Sequence, residues 1–256
     1  MIEHDAIDHY VTKWRSREPE MAQAEAFCPP ARRERLRLFG CLLSEWEDAI
    51  LTPSDASVAT GKLLWWAEEL AAGGQHHPLA RALVEQDVEV CALRVAPQAA
   101  ARLVDADSAG DMVAAIERCR GFAMAAAAAN AAVFGHSDAD DRGDDFVIGL
   151  LRRAAINAAA GHPLARERLP LNLLARHAGD EGDTAKAAAF HRDFAGELLC
   201  IPDRRRLPLM RALRRAFDRH RLQSMARGKA EPDRESLIPP LRTLWLAWNA
   251  ARRAHR

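Results

Sequence analysis

Tyrosine occurs once and lysine four times in this chain of 256 residues. Scarce tyrosine, with no run of alternating apolar and polar residues and no Asn-Gly hairpin signal, argues against a β architecture. Glycine and proline together fill 27 positions, too few for a collagen-like or disordered chain. The five cysteines contain no C-x-x-C pair and leave an odd one over. That excludes a disulfide scaffold or cysteine zinc site and makes a reducing cytoplasm the default. The longest nearly apolar run, Phe122 to Phe134, is 13 residues of mostly alanine interrupted by Asn130, too short to cross a bilayer. An acidic start, Met1-Ile2-Glu3-His4-Asp5, is the wrong opening for a secretion signal. Zero formal charge removes the usual reason to expect a nucleic-acid partner. The expectation is a cytoplasmic globular protein, with peripheral contact to a membrane left open.

What fills the chain instead is alanine, at 52 positions, and arginine, at 32. Both are strong helix formers. Leu36, Phe39, Leu43 and Trp46 follow Pro30 at spacings of three and four; Ala59, Leu63, Trp66 and Leu70 repeat the pattern until Gly73-Gly74. Further helices are expected from His77-Pro78, from Ser108 to Gly135, from Asp144-Asp145, and over about 183–200, 203–227 and 240–254. In the last, Leu241, Leu244, Trp245 and Trp248 line one apolar face. Loops are expected at 136–143 and 161–182. No Gly/Ser-rich or Pro-rich linker divides the chain, so residues 1–256 read as one all-α domain, a helical bundle. The neutral total hides an asymmetry: residues 1–200 carry net −10 and residues 201–256 net +10. The basic quarter at 203–256 is expected to pack on the acidic remainder, with an acidic protein or a membrane surface as alternative partners.

Phosphate-loop, dinucleotide-fold and nucleophile-elbow motifs are missing, and no H-E-x-x-H is present. The acidic run Asp138, Asp140, Asp141, Asp144, Asp145 fits a calcium loop only in part: Arg142 and Gly149 stand where ligands belong. A loop leading into a helix is the better reading. Glu45, Glu47 and Asp48 on one helix and Glu68-Glu69 on the next could meet across a cavity and bind magnesium, or sit on two amphipathic surfaces. Asn130, alone among small residues, marks either close helix packing or room for an apolar ligand. His-Pro-Leu-Ala-Arg occurs at 77–81 and 162–166, which two helix starts explain without a repeat.

The block Gly61-Lys62-Leu63-Leu64-Trp65-Trp66-Ala67-Glu68-Glu69-Leu70, Gly73, then His77-Pro78-Leu79-Ala80-Arg81 resembles that of squalene/phytoene synthase-like proteins. Phe27 to Glu45 and Arg168-Leu169-Pro170-Leu171-Asn172-Leu173-Leu174 are similar to flanking segments of that family, in the same order over about 25–180. The resemblance implies an isoprenoid synthase fold with a central apolar cavity. Catalytic members join two prenyl diphosphates head to head, using magnesium held by two aspartate-rich motifs on facing helices. Here the first motif reads Leu42-Leu43-Ser44-Glu45-Trp46-Glu47-Asp48-Ala49, and the second, within 146–160, holds Arg152 and Arg153 and no carboxylate. The expectation is a divergent, catalytically degenerate member that binds an isoprenoid, another lipid or a protein partner. Non-catalytic relatives act in assembly of membrane respiratory complexes. One alternative is an active prenyl transferase with Glu45, Asp48 and Glu69 on magnesium and Arg33, Arg37, Arg152 or Arg153 on diphosphate, with Trp66 and Asn130 also against the substrate. A second is a helical interaction module acting through its basic C-terminal helices.

Overall fold

The computed structural model describes residues 2–135, 140–179, 183–202, 206–228 and 237–254, with side chains from Ala6 onward. Thirteen α-helices, and no strand, occur among them: α1 (Ile2–Arg17), α2 (Pro19–Ala24), α3 (Pro30–Leu51), α4 (Ala56–Ala71), α5 (Pro78–Glu85), α6 (Val95–Val104), α7 (Met112–Phe134), α8 (Asp144–Ala159), α9 (Pro163–Glu167), α10 (Leu171–Arg176), α11 (Thr184–Leu199), α12 (Leu209–Ala226) and α13 (Pro240–Ala254). The chain is all-α.

Most starts follow local chemistry. The Asp55 carboxylate accepts the Ser57 and Val58 amides, and the His77 ring accepts the Leu79 amide ahead of Pro78. The second His-Pro-Leu-Ala-Arg also opens a helix, α9. The expected start of α7 at Ser108 moves to Asp111, whose carboxylate accepts the Ala114 amide at 2.8 Å. Two short helices, α9 and α10, occupy a stretch expected to be loop, and α1, α2 and α6 are additions that no sequence signal had marked.

Helices α3 and α8 form the middle of the bundle. Nearly every side chain from Leu36 to Leu51 and from Asp145 to Ala155 is buried, too broad a set for a surface helix. Around them α4 packs on α6, α6 on α7, α7 on α8, α8 on α12, and α12 on both α11 and α13. Close approaches use glycine. A Cβ on Gly40 would lie 2.6 Å from the buried Trp14 indole, so its absence lets α1 settle on α3. Gly143, at φ +66°, brings the start of α8 against the backbone carbonyl of Ala123 in α7.

Helix α13 is turned the unexpected way. Thr243, Ala247, Ala250 and Ala251 face inward, while Leu241, Leu244, Trp245 and Trp248 are 83%, 41%, 51% and 46% exposed.

Candidate functional site

The 3.6-residue period of α3 puts Trp46 into the apolar core, edge-on to Phe39, and sends Glu45, Glu47 and Asp48 toward α1, α8 and α12. Cations of this same chain meet all three. Arg153 of α8 forks between them, with Nη1 on Glu47 and Nη2 donating to Asp48 Oδ1 at 2.9 Å. Arg214 of α12 donates to both oxygens of Glu47, at 3.0 and 3.2 Å, and pairs with Glu18 at 2.9 Å. From α1, Lys13 pairs with Glu45 and lies 3.1 Å from Asp48, which Arg17 also contacts. Four carboxylates (Glu18, Glu45, Glu47, Asp48) thus face four cations (Lys13, Arg17, Arg153, Arg214). Glu47 has no exposed surface.

The pairing sets the protonation states. Burial works to raise the Asp48 carboxyl, but Arg153, Arg17 and Lys13 hold it below the usual carboxylate range. Burial likewise disfavours charge on Arg153, and Glu47 and Asp48 overcome it, raising its pKa. Further along α8 and α12, Arg152 donates to Asp218 at 2.8 Å; Arg221 pairs with Glu20, whose other oxygen accepts the Ile238 amide. Arg211 forks onto Asp141 and Asp145. Arg120 pairs with Asp144, so Asp141, Asp144 and Asp145 of the acidic run are each held by arginine; Asp138 lies outside the described residues. Among the described residues, no cluster of three or more His, Cys, Asp or Glu side chains could hold a metal ion.

The candidate residues fall in several places. Glu45, Asp48 and Arg153 come together, with Arg152 beside them on Asp218. Glu69 is elsewhere: it accepts the His76 and His77 amides at 2.7 and 2.8 Å and meets the His76 ring at 2.9 Å, closing the α4–α5 turn. Burial raises its carboxyl, and these hydrogen bonds more than compensate, leaving it low. Trp66 is buried against the His77 ring at 4.3 Å, and His77 in turn meets Tyr10; Trp65 is half exposed. Arg33 donates to the Cys28 carbonyl and Arg37 to Glu25, both at the entrance to α3. Asn130 is fully buried; its amide points at Met210 Sδ at 3.8 Å and its Oδ1 has no hydrogen-bond partner among the described residues. Met210, with Leu36, Phe134, Leu209, Arg32 and Arg206, lines a pocket of about 320 Å3.

Sequence reasoning missed Lys13, Arg17, Glu18, Arg214, Asp218 and Arg221. A signal was present: Arg214, Asp218 and Arg221 recur at helical spacing on one side of α12, beside the buried Phe217. No protein-family model significantly matches the chain, and neither does any curated protein or solved structure.

Proposed function

We propose that this chain is a catalytically degenerate relative of the squalene/phytoene synthases, a helical scaffold that binds a lipid or a protein rather than joining prenyl diphosphates. One observation carries the reading. Between the two segments that the resemblance assigns to the magnesium motifs, 42–49 and 146–160, the contact is an Arg153 fork on Glu47 and Asp48 rather than a pair of opposed carboxylates. Magnesium does not fit this donor set, because each α3 carboxylate already faces a guanidinium or ammonium group of the chain. A divalent cation would have to displace those groups and would then meet their positive charge. The rearranged-ligand transferase gains less support, since Glu69 closes a turn instead of joining Glu45 and Asp48.

The pocket beside Met210 suits a single apolar tail, with Arg32 and Arg206 for an anionic end. Its volume lies at the small end of ligand sites, which favours one slender chain over two.

The test is diphosphate release from farnesyl and geranylgeranyl diphosphate with magnesium or manganese. The expected result is no release above a heat-treated control from a folded sample, and a Glu45→Ala/Asp48→Ala variant altered in stability alone. Turnover that this double substitution abolishes would overturn the reading.

A further inference from the structure

We propose that the outward face of α13 docks this protein on the surface of an anionic bilayer. The inference is independent of whether the α3–α8 site is catalytic. An amphipathic helix ordinarily buries its large apolar residues; α13 instead packs through Thr243 and three alanines and presents two tryptophans and two leucines to solvent. From Leu241 to Trp248 the patch extends about 10 Å along the helix, at about 1.5 Å per residue. No helix of the described residues is long and apolar enough to cross a membrane. A helix lying in the interface plane needs only one apolar face and flanking cations.

The cations are in place. The Arg242 guanidinium stacks 4.5 Å from the Trp245 ring and that of Arg252 4.6 Å from the Trp248 ring. Indoles settle at headgroup depth, so this stacking would hold each guanidinium level with lipid phosphates, which arginine grips in a fork. Behind Trp245, a groove of about 700 Å3 between α12 and α13 includes Arg219, Arg242, Arg253 and His220, and among the described residues no carboxylate lines it. Residues 237–254 contain no acidic side chain. The contrast with the interior is sharp, where arginines are matched to carboxylates. A second copy docked face to face fits poorly, because it would bring the same arginines against these. A bilayer with anionic headgroups satisfies both the indoles and the guanidinium groups.

The experiment uses the whole protein with vesicles of phosphatidylcholine alone and of equal parts phosphatidylcholine and phosphatidylglycerol, read by co-sedimentation and tryptophan emission. The expected result is partition onto the anionic vesicles with blue-shifted emission, weakened by salt. Arg242→Gln/Arg252→Gln should weaken it roughly tenfold or more, and Trp245→Ser/Trp248→Ser at least as much, with unchanged circular dichroism. Wild-type protein that stays in the supernatant with anionic vesicles overturns the proposal, as does binding that the tryptophan variant retains. A dimer in light scattering that the tryptophan substitutions dissolve would give the face to a second copy. Capture of polyglutamate without vesicle binding would give it to an acidic protein. Either outcome refutes the bilayer assignment.

Discussion

Replacing Arg153 with methionine tests whether the interior of this bundle is held by charge balance. The substitution keeps the length and apolar stem of the side chain and removes the fork between Glu47 and Asp48. Asp48 retains Lys13 and Arg17, both partly exposed, and can share its charge with water near them. Among the described residues Glu47 retains only Arg214, at 3.0 and 3.2 Å, and it has no exposed surface. Removing one partner of a buried pair costs about 3–5 kcal/mol; the surviving contacts place this case near 3 kcal/mol. For a chain of this size that is a fall of roughly 6–12 °C in Tm. The pH dependence follows from the lowered Asp48 carboxyl. Its stabilisation is present above its unfolded value and is lost as pH falls through the still lower folded value. The variant holds that proton less weakly, so the gap between the two proteins should narrow below about pH 4. Urea and thermal unfolding followed by circular dichroism give both quantities. Adding Glu47→Gln removes the carboxylate left in excess and should recover at least half of the loss. An Arg153→Met protein within about 1 kcal/mol of wild type, or a double variant no better than the single, would refute the reasoning.

The His77 ring, pushed down to about 4 by burial, must stay neutral in the fold, so stability should decline as pH drops from about 6.5 toward 4. After discounting for the ring's partial exposure, the decline is about 1–2 kcal/mol. His77→Asn keeps a capping acceptor and should flatten that slope in denaturant titrations across the range. Gly143→Ala places a Cβ on the Ala123 carbonyl at a positive φ and should cost roughly 2 kcal/mol or more; an unchanged unfolding midpoint would contradict the close approach of α7 and α8. Cys41 and Cys119, pushed up to about 12 by burial, and the buried Cys28 should resist a thiol reagent in the native protein. The exposed Cys200 should react first, and all five only after denaturation, which absorbance at each stage would count.

Helix periodicity was readable where apolar residues recurred over several turns beside a punctuating Pro, Asp or Gly, and was missed in short helices such as α2 and α10. The stripe Ala59, Leu63, Trp66, Leu70 is buried as its spacing requires. The stripe Leu241, Leu244, Trp245, Trp248 has the same periodicity and lies outside, because close packing on α12 and α2 is made by small residues that carry little weight in any hydrophobic pattern. At the candidate site, the acidic cluster of α3 and the arginines of α8 were evident from composition. Their partners were not. Arg214 lies 167 residues from Glu47 and Arg221 lies 201 residues from Glu20, and local patterning says nothing about which charges the tertiary fold will bring together. A charged side chain in a sequence is read as solvated by default, and here that default fails because its counter-charge is folded in beside it.

Those separations also order events during synthesis. Ribosomes release the chain from its N-terminus, so Glu18, Glu20 and Glu47 emerge long before the arginines of α12. Until then Glu18 and Glu20 lack their arginines and Glu47 has Arg153 alone, so the apolar residues around them cannot close over fully paired charge. The last helices therefore act as a keystone: a nascent chain stalled before residue 211 would hold a surplus of negative charge and an open centre, a client for chaperones rather than a folded fragment.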